Sequence, residues 1–542
     1  MRRDPTRLAD ETFDLLIIGG GVTGACIARD AALRGMKVAL VEKNDFAHAT
    51  SAHNSKLIHG GLRYLRNLEF RLVRESLRER RIWQRIAPHL VRPLPFLIPL
   101  YKSGWASRTS LGAGLSLYDL LSFDRGWLDD PDQRLPGHSW LNAKAALERE
   151  PALEGDGFDG AYCYYDAQMY APERLALECL VSASMHDAVL VNHMEAERLL
   201  IRDSRVEGAS VADKFSDARF DVRAKQTILA AGPWSDIFLE RALEKPASHK
   251  LLRSKGIHLI VKAMTKTDAL AVAAKHGHFF VLPWRGHSLL GTTDTEFSLP
   301  PDRVGVSESD IADFLDYINA HLPSANLTRS DVEFFYAGLR PLVDEGSSDT
   351  YGASRRAELV DHGKEDGIAA LFSAVGGKWT TSRALAQKVT DVLAERSGKT
   401  LLACTTDRMR LPAGWIDNFS GFVERNSAAY KTLAIAHLAQ LYGNRLTKVL
   451  DLTIGRPGLA EPLSPSGDIG AQVLYAVRQE TAMTLDDAVM RRTGIGQLGD
   501  PGDAALGKAA DIMAAELKWD AARRARELEA TARNFRTQAD QP

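Results

Sequence analysis

Apolar positions recur along the chain in two rhythms, and turn signals divide those rhythms into elements. Asp14–Ile18 is a short apolar run, followed by glycines, a stretch of small residues and a second run, Lys37–Val41, ending at Glu42. This order predicts strand, helix and strand. From Asn67 to Ile86, Phe70, Val73 and Leu77 fall at helical spacing among Arg71, Arg74, Arg78, Arg80, Arg81 and Arg85. The expected helix carries a solvated arginine face paired with its glutamates. Pro88 stops it, and the proline-punctuated run Arg92–Tyr101 suits an edge strand. Trp105–Trp127 is apolar but too short and interrupted to cross a bilayer, so it reads equally as an interfacial or a buried helix. A helix is expected from Pro172 to about His186. Val189–Asn192, Ala196–Arg202, Glu207–Asp213 and Phe220–Ala231 then form a meander. In 251–343, Ile257, Leu259 and Val261 alternate onto one face and leave His258 on the other. A hairpin turning at Trp284–His287 follows, then an exit loop Gly291–Asp294, a helix Glu308–His321 and a strand Val332–Leu339. Pro341 holds Arg340 extended at that strand's end. After the strand and glycines of Ala370–Thr381 the chain becomes helical, with amphipathic segments at Phe419–Tyr442, Ile469–Arg478 and Leu485–Arg492 and a tail beyond Gly502.

The glycines turn the first three elements into a nucleotide cradle. Gly19, Gly21 and Gly24 stand in GxGxxG spacing, with Gly20 and Thr23 between them. Gly19 permits a tight turn, Gly21 lets a pyrophosphate approach backbone at a helix N-terminus, and Gly24 lets the helix sit close to the sheet. Glu42 closes the second strand where a carboxylate accepts from an adenosine ribose and disfavours a 2′-phosphate. FAD or NAD is therefore expected rather than NADP. Beyond Glu42 and Lys43, a loop rich in small hydroxyl residues (Thr50, Ser51, Ser55) and containing Lys56, Leu57, Ile58, His59 and Arg63 follows directly on the cradle, where it would wrap the cofactor and meet substrate.

Bulk composition narrows the class without naming it. The 542 residues suffice for several domains, and 45% hydrophobic with 25% charged residues is globular. A formal net charge of −2 gives no general attraction to nucleic acid, so no nucleic-acid partner is expected and any anion site is local. Cys26, Cys163, Cys179 and Cys404 are scattered without a CxxC pair, which reads as free thiols in a reducing compartment. No metal site, signal peptide or spanning helix is expected.

Several separated motifs carry a family resemblance. SKLIHGGLRYL (55–65) resembles the signature of FAD-dependent glycerol-3-phosphate dehydrogenases, although His53 and Asn54 stand where that family usually has serine or another small residue. TILAAGPWS resembles a second flavin fingerprint, bringing Ala231, Gly232 and Trp234 toward the adenine side. GTTD (Gly291, Thr292), YAGLRPL around Arg340, GGKWTT (Gly377, Lys378, Trp379, Thr380) and DDAVMRRTGIG are similar to further family motifs. The resemblance implies an α/β fold: a glutathione-reductase-type FAD-binding Rossmann domain (segments 1–90, 161–250 and 346–400), an α+β substrate domain (251–345) and an all-helical C-terminal cap (411–542). Residues 91–160 would be an insertion in contact with the membrane.

It further implies oxidation of sn-glycerol 3-phosphate to dihydroxyacetone phosphate, with hydride transfer to FAD and electrons passed to a membrane quinone. Arg63, Tyr64, Arg340, Arg355 and Lys378 would bind substrate. His59 and His258 are the base candidates, with His59 preferred because it sits between the cofactor loop and Arg63. Lys378 and the nearby helix start would favour reduced flavin by their positive potential. A homodimer at the inner face of the cell membrane, otherwise cytoplasmic, is expected. The rivals are an oxygen-using glycerol-phosphate oxidase, an amino-acid or hydroxy-acid oxidase on the same fold, and a catalytically idle flavin-binding protein.

Overall fold

The computed structural model describes residues 1–102, 107–153, 155, 157–274, 277–322, 324–343 and 357–538. The first strand, Thr12–Ile18, lies at the centre of one sheet, between Val38–Val41 and Arg219–Leu229, with parallel pairing on both sides. Val189–Val191 extends the parallel set at one edge and Leu371–Gly376 at the other. Strands Met194–Arg202 and Arg205–Asp213 form the antiparallel meander that returns to Arg219–Leu229. Both faces are covered, as a parallel sheet requires. Helix Val22–Leu33 packs between Pro172–Ser184 and Ser382–Ser397. Its alanines make this close approach possible, and Ala25, Ala28 and Ala31 are completely buried.

A second sheet is mainly antiparallel. Leu251–Lys262 lies next to one edge of it, between Val332–Val343 and His287–Gly291. The hairpin Gly277–Trp284 to His287–Gly291 turns through Arg285 and Gly286, both at positive φ (51° and 77°), which matches the twist of its strands.

Strand Val91–Tyr101 corrects the edge-strand expectation. It pairs antiparallel with Phe158–Met169 along its whole length and parallel with Ala269–Ala274 at Phe96 and Leu97. Pro93, Pro95 and Pro99 share one parity, so their missing N–H groups all fall on the second, sparsely bonded side. Phe158–Met169, split in the expected division between an insertion and a nucleotide segment, runs within this same sheet.

The helix Phe70–Ile86 is less solvated than its arginines suggest. Arg71 and Arg78 are exposed, but Glu79 and Arg80 are 1% exposed. Arg383 donates twice to Glu79 at 2.6 Å, and Arg80 pairs with Asp166 at 2.5 Å. The helical period carries 73, 76, 77, 80 and 83 inward, charge included. Leu115 and Tyr118 of helix Arg108–Leu121 are buried, whereas Leu120, Phe123 and Trp127 are exposed. Trp105 and Arg355 lie outside the described residues.

The C-terminal part is helical, from Phe419–Ala429 to Ala521–Ala532, and packs on the helices of the first sheet and on the second sheet. Leu485–Arg492 is not amphipathic here: Asp487–Arg492 is a π-helical turn with every residue buried. All four cysteines are free thiols. Among the described residues no helix is long and apolar enough to cross a membrane.

Candidate active site

A cavity of about 1520 Å³ is lined by residues of both sheets. It exceeds the roughly 300–1,000 Å³ of an ordinary small-ligand site and suits a dinucleotide plus a substrate. At its nucleotide end the wall is backbone. Gly19 has φ +114°, and a Cβ there would lie 2.5 Å from the Ala230 carbonyl oxygen. A Cβ on Gly24 would lie 1.9 Å from the Gly19 oxygen, so that helix and turn touch. Gly21 caps helix Val22–Leu33 and faces the cavity, with Ser51 Oγ accepting from the Val22 N–H at 2.8 Å. The Glu42 carboxylate accepts from the Gly20 N–H (2.7 Å) and the Asn44 N–H (2.9 Å), which fixes it at the end of its strand. Lys43, Trp234 and Asp302 form the rim, with Lys43 Nζ 2.7 Å from Asp302 and 4.3 Å from the Trp234 ring. A narrow glycine turn, a helix start facing the cavity and a carboxylate at the end of the second strand fit the adenosine diphosphate half of FAD.

The other end is built of side chains. The N–H of Gly60 donates to Asp166 Oδ1 (3.2 Å), which also accepts from Tyr118 and Arg80. This anchors the loop that carries His59, Arg63 and Tyr64. The His59 N–H donates to Thr380 Oγ1 at 3.2 Å, joining SKLIHGGLRYL to GGKWTT. Lys378 Nζ sits 4.4 Å from the centre of the Tyr64 ring, and the Arg63 guanidinium 5.0 Å from it. Gly376 and Gly377, at φ 68° and 92°, make the turn that brings Lys378 there.

Arg340 is not at a strand end, because its strand runs on through Pro341 to Val343, paired as Arg340 with Ser254. It donates to Ser254 Oγ (2.8 Å), Thr292 Oγ1 (2.8 Å) and the Thr293 carbonyl (3.1 Å), with Asp294 at 3.9 Å. Gly256 makes room for it: a Cβ there would lie 2.3 Å from Arg340 Nη2. His258 is 2% exposed, lies 2.9 Å from Ser55 Oγ through Nε2 and stacks on Tyr336 at 5.0 Å. Burial, and after it the Arg340 charge, hold its pKa well below the ordinary 6.5, so the imidazole is neutral.

The structure thus brings to the wall of one cavity Gly19, Gly21, Thr23, Glu42, Lys43, Thr50, Ser51, Ser55, Leu57, His59, Ala231, Gly232, Trp234, Thr292, Gly377, Lys378, Trp379 and Thr380, together with Arg63, Tyr64, His258 and Arg340. Gly20, Gly24 and Ile58 stand behind it. Gly291 receives the His258 ring, to which a Cβ would come within 2.2 Å. Lys56 also stands behind the wall, 1% exposed, with Nζ 4.6 Å from the Trp284 ring and 5.0 Å from the Tyr336 ring. Burial lowers its pKa to about 8. Gly256, Tyr336 and Asp166 were not anticipated. Gly256 had a usable signal, as an isolated glycine inside an alternating strand, and Tyr336 opens the YAGLRPL motif.

Residues 14–392 match the family model described as FAD dependent oxidoreductase, and residues 375–524 match the C-terminal domain of alpha-glycerophosphate oxidase. The chain is 36% identical to a glycerol-3-phosphate dehydrogenase of Synechocystis, covering 96% of this chain and 95% of that one. It is 32% identical to the aerobic glycerol-3-phosphate dehydrogenase of Staphylococcus aureus, covering 90% and 87%. The glycerol-3-phosphate dehydrogenase of Bacillus halodurans, solved with FAD, superposes with a TM-score of 0.78 at 28% identity, covering 98% of this chain and 95% of that one. A glycine cradle that fits FAD, facing a cationic and imidazole-bearing wall and matched over nearly the whole chain, shows that this protein belongs to the FAD-dependent glycerol-3-phosphate dehydrogenase family.

Proposed function

We propose that the enzyme oxidises sn-glycerol 3-phosphate at C2 to dihydroxyacetone phosphate and delivers the electrons to a membrane quinone. The observation that carries the reading is that Arg63, Arg340 and Lys378, with His59 and His258, line the same cavity as the nucleotide cradle. FAD, when bound, supplies the hydride acceptor. Arg340, its fork aimed by Ser254 and Thr292, holds the substrate phosphate with Arg63. Arg355 is the further phosphate ligand. Lys378 faces the developing oxyanion. His59, fastened to Thr380, takes the hydroxyl proton, while His258 stays neutral and orients substrate. Removing the base is expected to cost about 10²–10⁴ in rate.

The apolar side of the cavity, which includes Ile98, Leu100, Leu111 and Phe280, supports an apolar acceptor. Exposed Leu68, Leu120, Phe123 and Trp127 beside Arg71 and Arg78 support residence in a membrane interface, at the inner face of the cell membrane. A homodimer completes the proposal.

Anaerobic titration of the holoenzyme with glycerol 3-phosphate tests it, with lactate and an amino acid as controls. Bleaching of the flavin bands by glycerol 3-phosphate alone is expected, with colour restored by a quinone analogue. Restoration by oxygen alone, with peroxide formed, would assign an oxidase instead. Bleaching only by the controls would overturn the substrate.

A further inference from the structure

A buried ion cluster ties the loop after strand Val38–Val41 to the helical C-terminal part. Asp45, three residues beyond Glu42, is 1% exposed. It accepts from both Nη atoms of Arg492 at 2.7 Å and from Arg491 Nε at 2.6 Å. Arg491 also reaches Asp487 Oδ1 at 3.0 Å, and the other oxygen of Asp487 lies 2.9 Å from His193 Nε2. The His193 N–H closes the circuit on the Asn44 carbonyl at 2.7 Å. Asp45, His193 and Asp487 bring ligand atoms within 4.8 Å of one another, as metal ligands do. The two guanidiniums already engage both carboxylates and disfavour a cation among them.

The loop held in this way is the one that frames the nucleotide end. The Ala47 N–H donates to the Gly20 carbonyl at 3.0 Å, and Phe46 fills the space a Cβ on Gly20 would need. Asp45 is the loop's inward anchor; Asn192 Nδ2 also donates to it at 2.9 Å, but a neutral amide leaves its charge unbalanced, and a buried carboxylate is costly unless cations pair with it. The loop's own cation, Lys43, is turned outward onto Asp302. The C-terminal π-helical turn supplies two guanidiniums instead.

We propose that Arg491 and Arg492 position the loop 42–48 for the adenosine half of FAD, so that the C-terminal helical part belongs to the cofactor site. The inference rests on Glu42 meeting the adenosine ribose. Binding and positioning are reciprocal, so FAD must steady the cluster as much as the cluster steadies the loop.

Arg492→Lys keeps the charge and loses the fork. Release of FAD from its holoenzyme, followed by the rise in flavin fluorescence on dilution, is expected to be about tenfold faster or more, and the gain in Tm on adding FAD to shrink. In the wild-type protein, FAD is expected to slow amide exchange at 487–493 together with 42–48. Release at the wild-type rate from folded Arg492→Lys, or protection that stops at residue 48, overturns the proposal. The exchange measurement decides alone if that variant does not fold. Glu42→Ala separates the two ideas. If it holds FAD as firmly as wild type, the ribose assignment fails. If it releases FAD quickly while Arg492→Lys does not, only the clamp fails.

Discussion

The two ends of the cavity are built on opposite plans. The nucleotide end is mostly backbone, drawn chiefly from residues 13–42, in which Gly19, Gly21 and Gly24 shape the space by lacking side chains, with Ser51 and the rim of Lys43, Trp234 and Asp302 beside them. The end proposed for substrate is side chains, drawn from His59 and Arg63 on one loop, His258 and Arg340 on adjacent strands, and Lys378 after a third. A backbone site is damaged by adding atoms. A side-chain site is damaged by removing them.

Gly21→Val tests the first half of that contrast and should have the largest effect. Gly21 lies at φ −70° with only Ser51 Oγ near its absent Cβ, at 3.1 Å, so the variant folds while its side chain occupies pyrophosphate space. A folded, colourless protein is expected by absorption and circular dichroism, and full flavin occupancy would sink the cradle assignment. At the other end, Arg340→Ala should keep its flavin and lose on the order of 100-fold or more in kcat/KM, because charge-assisted hydrogen bonds to phosphate are removed. Loss of bound FAD there would erase the division between the ends.

Gly256→Ala sharpens the comparison, since it damages the substrate end by adding an atom. The new methyl group displaces the Arg340 fork, and a rise in KM of about tenfold is expected, with FAD retained. Unchanged KM would show that the fork's position is not selective.

The smallest effect is one of pH. The folded pKa of His258 lies below its unfolded value of 6.5, so between the two values the unfolded chain binds the extra proton. Its contribution to stability is complete above pH 6.5 and declines below it, by up to about 1.4 kcal/mol per pH unit. His258→Gln should therefore flatten the fall of Tm between pH 6.5 and 5. An unchanged slope would mean that the ring is not held neutral.

Legibility followed the same divide. The strand, helix and strand of residues 12–41 were readable because period, glycines and terminal acid are all local. The proline-rich run 91–101 was misread as an edge because sequence shows the prolines but not which side of the strand their parity faces. Arginine content suggested a solvated helix, yet Glu79 and Arg80 are inside because Arg383 and Asp166, hundreds and dozens of residues away, arrive to pair with them. Lys56 sits in a loop where cofactor contact was expected, and only the packing of Trp284 and Tyr336 takes it behind the wall.

By itself the sequence determined the nucleotide cradle and the helical C-terminal part, because each is written in spacing within one element or one motif, whereas the cations and imidazoles proposed for the substrate came from a family resemblance. The tertiary structure alone decided which cations share a wall, that Gly256 opens the space for Arg340, and that Asp45 meets Arg491 and Arg492 across more than four hundred residues. Those are contacts between distant segments, fixed by strand register and buried charge pairing, which no local pattern records.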